Sequence, residues 1–257
     1  MPQTFKSGFV AIVGKPNVGK STLLNALIGE KVSIVSPKPQ TTRKRIRGIK
    51  NLPNAQIVFV DTPGLHRPLH KLGERMQAEA LEGLKGVDVV LLLVDTKPPS
   101  VAESRIMQKL SDIEVPVVLA INKIDLTKKP NLLPLIDSYN KLYPFRDIIP
   151  ISAIKAEGLD EVITCLLNYL PEGPKYYDGE LITDQYERFM VSEVIREKIL
   201  HNTHDEVPHS AAVDVTLWKV REDGLLNIHA DILVERGGQK GIIIGKNGML
   251  LKKIGAE

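Results

Sequence analysis

Apolar residues along the first two thirds of this chain come in short blocks. Residues 8–13 (GFVAIV), 57–60 (IVFV), 87–94 (VDVVLLLV), 115–121 (VPVVLAI) and 148–151 (IIPI) are nearly continuous apolar runs of strand length. Runs of this kind suit strands buried on both faces, as in a parallel sheet covered by helices. The intervening stretches change period. Residues 20–28 place Leu23, Leu24, Leu27 and Ile28 on one helical face, and residues 158–170 read as a closing helix. This strand–helix alternation predicts a doubly wound α/β domain over residues 1–170. Pro171-Glu172-Gly173-Pro174-Lys175 then opens a linker, residues 171–182, by its proline and glycine.

The pattern shifts again over residues 183–257. Residues 184–200 carry a helical apolar set of Phe189, Val191, Val194, Ile195 and Ile199. Residues 211–220 alternate (Val213, Val215, Leu217), as do 226–234 (Ile228, Ala230, Ile232), and Asp223-Gly224 between them is a hairpin signal. Gly245-Lys246-Asn247-Gly248 follows, inside an otherwise helical stretch.

Candidate chemistry falls at the carboxyl ends of the apolar runs, where an open α/β sheet binds its ligand. Gly14-Lys15-Pro16-Asn17-Val18-Gly19-Lys20-Ser21, with Thr22 after it, lies between a strand and a helix. That context predicts a phosphate-binding loop. Its backbone N–H groups and the helix N-terminus would face phosphate oxygens, Lys20 would reach the β- and γ-phosphates, and Ser21 would hold Mg²⁺. Asp61, in Asp61-Thr62-Pro63-Gly64, ends the second strand. It can hold Mg²⁺ through water, and the Gly64 N–H can meet the γ-phosphate. Asn122-Lys123-Ile124-Asp125 ends the fourth run. The Asp125 carboxylate can accept both the ring N–H and the exocyclic amine of guanine, a donor pair that adenine lacks. Lys123 can lay its stem along the base, and Asn122 can brace the loop. Ser152-Ala153, with Ile154 beside it, ends the fifth run, where a backbone N–H can meet the guanine carbonyl.

Composition narrows the class only slightly. The 257 residues are 43% hydrophobic and 25% charged, ordinary for a globular protein. No apolar run approaches the ~18 residues of a membrane span, and the first residues show no apolar signal core. Cys165 is the only cysteine, which excludes an internal disulfide. These features predict a cytoplasmic protein. The net charge of +3 is too small to argue for nucleic acid, but its distribution is uneven. Through Leu170 there are 23 Lys and Arg against 16 Asp and Glu; beyond it there are 11 against 15. Two stretches hold no acid. One lies between Glu30 and Asp61 and carries Arg43, Lys44, Arg45, Arg47 and Lys50. The other lies between Glu235 and Glu257 and carries Lys240, Lys246, Lys252 and Lys253.

These motifs resemble the translation-factor-related bacterial GTPases and, within them, the Era family. Gln40-Thr41-Thr42-Arg43, Asp61-Thr62-Pro63-Gly64-Leu65-His66 and the Gly245–Gly248 segment carry the closer likeness, over nearly the whole chain. The resemblance implies a GTPase domain followed by a smaller α+β domain of the type II KH class. The G-x-x-G loop of a KH domain joins two helices and clamps an RNA backbone. Gly245, Lys246, Asn247 and Gly248 are thus the candidate RNA contacts. A type II KH fold has a further strand after this helix, so the KH part reads as incomplete, with a poorly stabilised two-stranded sheet. The resemblance further implies a GTP-hydrolysing switch that binds 16S rRNA near its 3′ end and assists assembly of the 30S ribosomal subunit. It implies a monomer, with room for peripheral contact at the inner face of the cell membrane.

One position departs from many GTPases. Leu65 stands where a glutamine often orients the attacking water. Intrinsic turnover should therefore be slow, or be helped from elsewhere. Related GTPases with an apolar residue here can use a K⁺ ion held partly by the loop asparagine, a position that Asn17 occupies. Thr42 is the choice for the switch threonine on Mg²⁺ and the γ-phosphate, with Thr41 as alternative. The candidate catalytic set is thus Lys20, Asn17, Thr42 and Gly64, and the candidate Mg²⁺ ligands are Ser21, Thr42 and Asp61. His66 and His70 read as solvated loop residues, and His201, His204 and His209 as a polar helix-to-strand loop without zinc-site spacing. Two rival readings remain: an RNA chaperone that uses GTP only as a structural ligand, and a membrane-surface or protein-binding switch that works through the basic 43–50 stretch.

Overall fold

The computed structural model describes residues 4–65 and 71–257, so His66 and His70 lie outside the described residues. The chain divides into two compact units. The first comprises Met1–Ser33 and Thr42–Asp184; the second comprises Ile34–Thr41 and Gln185–Glu257.

The first unit is a six-stranded sheet in the order β2-β3-β1-β4-β5-β6. Its strands are β1 (Lys6–Gly14), β2 (Ile46–Leu52), β3 (Ala55–Asp61), β4 (Val89–Val94), β5 (Val117–Ile121) and β6 (Asp147–Pro150). All neighbours run parallel except β2, which pairs antiparallel with β3 in a register that sets Gly48 opposite Phe59. The five apolar runs are thus strands, with β3 and β4 fully buried, as their unbroken apolar character requires. The edge strand β2 is a finding that the pattern did not anticipate. It lies within the basic stretch and shows no clean alternation.

The helices of this unit are α1 (Lys20–Ile28), α2 (Lys71–Glu82), α3 (Val101–Leu110), α4 (Leu132–Asn140) and α5 (Leu159–Tyr169). Helix α3 starts from a capping box in which Ser100 and Glu103 satisfy each other's backbone N–H groups. Ile106, Met107 and Leu110 of α3 then join Val90, Leu92, Leu119 and Tyr139 in one buried cluster. The Pro- and Gly-rich stretch after α5 is irregular yet hydrogen-bonded. Gly173 N–H donates to the Phe5 carbonyl, Ile49 N–H donates to the Ile182 carbonyl, and Gln56 accepts from the N–H groups of Tyr176 and Tyr177. At the β2 edge, Ile49 meets Ile182 and Gly48 forms an antiparallel bridge with Thr183. An edge left open would offer its N–H row to other chains.

The second unit contains α6 (Glu187–Asn202), the short α7 (Val207–Ser210), the hairpin β7 (Ala212–Val220) and β8 (Leu226–Leu233), then α8 (Gly237–Ile244) and α9 (Met249–Ala256). Ile199, Val207, Ala211, Ile243 and Ile254 form its small core, with Val213 and Ile232 of the hairpin packed against it. His201 and His209 lie in α6 and α7 rather than in a loop. Among the described residues no group of His, Cys, Asp and Glu could hold a metal by itself. No helix among them is long and apolar enough to cross a membrane.

Candidate nucleotide and RNA sites

The turn from β1 into α1 brings the glycine-rich loop to the carboxyl edge of the sheet. Asn17 sits in the left-handed region at φ 64°, a conformation that asparagine tolerates better than most residues. Gly19, at φ 101°, ends the turn where a Cβ would stand 2.4 Å from the Asn122 amide nitrogen. Only glycine fits there. Asn122 in turn donates from Nδ2 to the Val18 carbonyl at 2.8 Å and accepts from the Ala153 N–H at 2.9 Å. One buried amide thus ties the phosphate loop, the Asn122–Asp125 loop and the Ser152–Ala153 loop together. Lys123, at φ 67°, places its ammonium on the Asn17 carbonyl at 2.7 Å. Ser152 Oγ donates to Asp125 Oδ1 at 2.5 Å and so orients that carboxylate. In the nucleotide-free chain the Ala153 N–H is held by Asn122. Ile154, 75% exposed, is the next residue on the loop.

Lys20 is buried, and its ammonium donates to the carbonyls of Gly14 (3.3 Å) and Lys15 (3.0 Å). Burial pushes its pKa down to about 8 against the opposing pull of Asp61. Its direct hydrogen-bond partners are thus neutral carbonyls. Asp61 is fully buried, and burial raises its carboxyl above the usual range despite Lys20 and the hydroxyls of Ser21, Ser33 and Thr42. Its Oδ2 accepts from Ser21 Oγ at 2.7 Å and Ser33 Oγ at 3.2 Å. Its Oδ1 is buried with no hydrogen-bond partner among the described residues. Thr42 Oγ1 lies 2.9 Å from Ser21 Oγ. An orphaned carboxylate oxygen beside two hydroxyls is a set of hard oxygen donors that fits Mg²⁺.

Of the two candidate threonines, Thr42 is the one brought to Ser21. Thr41 instead donates its hydroxyl to the Lys38 carbonyl at 2.7 Å. Gly64 lies flat against the phosphate loop, where a Cβ would stand 2.8 Å from the Pro16 nitrogen. Leu65 donates its N–H to the Gly14 carbonyl at 3.1 Å and is buried in the apolar cluster. Its side chain therefore belongs to the core and offers nothing to water. Two members of the site carried no sequence signal. Ser33 is buried on Asp61. Glu103, the capping-box residue of α3, makes an ion pair with Lys15.

In the second unit, Gly245-Lys246-Asn247-Gly248 joins α8 to α9. Gly245, Asn247 and Gly248 have φ of 71°, 52° and 74°, and Lys246 and Asn247 between the two glycines are exposed.

A phosphate loop, an Asp at the neighbouring strand end and an Asn-Lys-x-Asp loop on one sheet edge define a P-loop GTPase, here followed by an α-α-β-β-α-α unit. Residues 9–123 match the family model described as 50S ribosome-binding GTPase, and residues 206–257 match that of the KH domain. The chain is 53% identical over 257 residues to GTPase Era of Geotalea daltonii, covering 99% of this chain and 86% of that protein. It is 52% identical over 250 residues to GTPase Era of Lacticaseibacillus paracasei, covering 97% and 83%. The chain belongs to the Era GTPase family. Among solved structures, it is similar to Era in complex with MgGDPNP and nucleotides 1506–1542 of 16S ribosomal RNA. There the TM-score is 0.94 and the identity 45%, covering 98% of this chain and 86% of that one. A single-residue variant of Aquifex aeolicus Era bound to GDP·AlF4⁻ gives a TM-score of 0.95 at 46% identity, covering 98% and 87%.

Proposed function

We propose that this protein is a GTP-operated switch that binds Mg²⁺–GTP, hydrolyses it to GDP and phosphate, binds 16S rRNA and assists assembly of the 30S subunit. The observation that carries the nucleotide reading is the buried, half-satisfied Asp61 between Ser21, Thr42 and Lys20. In this reading Ser21, Thr42 and Asp61 would hold Mg²⁺. Lys20 and the loop N–H groups bind the β- and γ-phosphates, and the Gly64 N–H binds the γ-phosphate. Mg²⁺, when bound, neutralises charge that develops between the β- and γ-phosphates. Asp125 reads guanine, with Lys123 and the Ser152–Ile154 loop around the base. Residues 1–170 form the GTPase domain, 171–182 the connection and 183–257 the KH-like RNA-binding domain. The protein works as a monomer in the cytoplasm.

RNA recognition rests on the Gly245–Gly248 turn and on the relative solved with a 16S rRNA segment. The test is filter binding of a 16S rRNA 3′ fragment at one fixed salt concentration, because phosphate contacts make affinity salt-dependent. Replacing Lys246 and Asn247 together by Asp sets two negative charges against the RNA backbone. Binding should weaken on the order of tenfold or more, while GTP affinity stays unchanged. Undiminished RNA binding would move the RNA site to the basic 43–50 stretch.

Turnover should depend on K⁺. Leu65 is buried and cannot orient water, whereas Asn17 sits in the turn where a monovalent cation would meet the phosphates. Exchanging K⁺ for Na⁺ should slow hydrolysis roughly tenfold or more, the scale of one lost electrostatic contact to the transition state. In Asn17→Ala the same exchange should leave the rate almost unaltered. Equal rates of the native protein in both salts would remove the ion from the mechanism.

A further inference from the structure

The eight residues Ile34–Thr41 lie in the chain between two parts of the first unit, yet they belong to the compact second unit. Their attachments explain why. Val35 N–H donates to Glu197 Oε1 at 2.9 Å, and the Val35 carbonyl lies 3.0 Å from His201 Nε2. Lys38 donates its ammonium to the carbonyls of Leu200 and Thr203 at the end of α6. Arg196 Nη2 donates to the Thr41 carbonyl at 2.5 Å. Residues 196, 197, 200 and 201 share one face of α6, since they are adjacent or four apart. Arg196 and Glu197 are buried.

Arg196 is built to hold its position. Its Nε and Nη2 grip the Glu193 carboxylate at 2.8 and 2.5 Å, one turn earlier on the same helix. A two-point pair of this kind fixes the plane of the guanidinium. Its Nη1 is buried without a partner among the described residues.

The bonded carbonyl is the informative one. The division between the two units falls on the Thr41–Thr42 peptide bond. The peptide group is planar, so the Thr41 carbonyl and the Thr42 nitrogen turn together. Fixing that oxygen fixes the direction from which Thr42 enters the site. Thr42 sets its hydroxyl 2.9 Å from Ser21 Oγ. We propose that Arg196 is a positioning residue of the GTP reaction: it acts through the Thr41–Thr42 peptide to present the Thr42 hydroxyl to Mg²⁺ and the γ-phosphate. The inference rests on the role given to Thr42 above.

The test is a double-mutant cycle in the full chain, pairing Arg196→Met with Thr42→Val, which keeps the shape of threonine without its hydroxyl. Steady-state kcat and KM for GTP, and affinity for GDP, are measured for all four proteins. Small misplacements of a reacting group cost large factors in rate, so Arg196→Met should lower kcat roughly tenfold or more. GDP has no γ-phosphate, so its affinity should stay within about twofold. In the Thr42→Val background, adding Arg196→Met should slow the reaction by less than about twofold, because both changes remove one interaction. Additive losses, or a native rate in Arg196→Met beside a slow Thr42→Val, would overturn the inference and leave Thr42 in its role. A native rate in Thr42→Val would overturn both. Should Arg196→Met fail to fold by circular dichroism, Arg196→Lys enters the same cycle. It retains the charge facing Glu193, but one ammonium cannot reproduce the fixed grip on both the carboxylate and the Thr41 carbonyl.

Discussion

Asp125→Asn is expected to abolish the preference for guanine nucleotides. Two charge-assisted hydrogen bonds from the base to this carboxylate are at stake, each worth about 1.5–3 kcal/mol. An amide in their place accepts one N–H and points its own N–H at the exocyclic amine. GTP affinity should fall by on the order of 100-fold or more. Xanthine carries a carbonyl where guanine carries that amine, so XTP should bind the variant better than GTP does. The local fold should survive the change, because an amide oxygen can still accept the 2.5 Å hydrogen bond from Ser152 Oγ. Competition of unlabelled GTP and XTP against a fluorescent guanine nucleotide measures both effects. A variant that keeps near-native affinity for GTP over XTP would mean that the guanine site lies elsewhere.

Much of the GTP-binding unit was legible because its chemistry is local. Phosphate loops, an Asp at a strand end and a guanine loop each occupy a few consecutive residues, and each follows an apolar run that only a buried strand explains. The parts that sequence did not reveal depend on residues far apart. Ile46–Leu52 became a strand by pairing with β3; its buried Ile46 and Ile49 are three apart, which suits neither face of a pleated strand. Ser33 meets Asp61 across 28 positions, and Glu103 meets Lys15 across 88. Neither contact leaves a trace in local composition. The Pro- and Gly-rich stretch after α5 shows a different limit. Such residues forecast irregular backbone, but they do not say whether that backbone is packed, and Gln56 anchors it through both N–H groups of Tyr176 and Tyr177. The attachment of Ile34–Thr41 to α6 lies beyond any window, since its partners are more than 150 residues away.

Asp61→Asn should separate function from stability. Asp61 is fully buried, and burial outweighs its partners so that its carboxyl pKa lies above that of the unfolded chain. The sign follows from linkage. A carboxyl with a raised folded pKa favours the protonated form in the folded state, so its ionised form subtracts stability at neutral pH. That loss is relieved as pH falls through the raised value toward the unfolded one. An isosteric amide carries no charge to desolvate and can still accept from Ser21 Oγ through one oxygen. The nucleotide-free variant in EDTA should therefore melt at the native temperature or above it. Its function should collapse, because the buried oxygen that faces no partner is the one available to Mg²⁺ and its water shell. Loss of such a charge in a closed site should cost on the order of 100-fold or more in kcat. The affinity for GTP should also lose most of its dependence on Mg²⁺ concentration. Thermal unfolding, steady-state hydrolysis and nucleotide binding across a Mg²⁺ titration test the three parts together. A variant that hydrolyses GTP at the native rate with an unaltered Mg²⁺ requirement would exclude Asp61 from the metal site. A variant that melts well below the native protein would make its carboxylate a structural group, with Ser21 and Ser33 as the partners it serves.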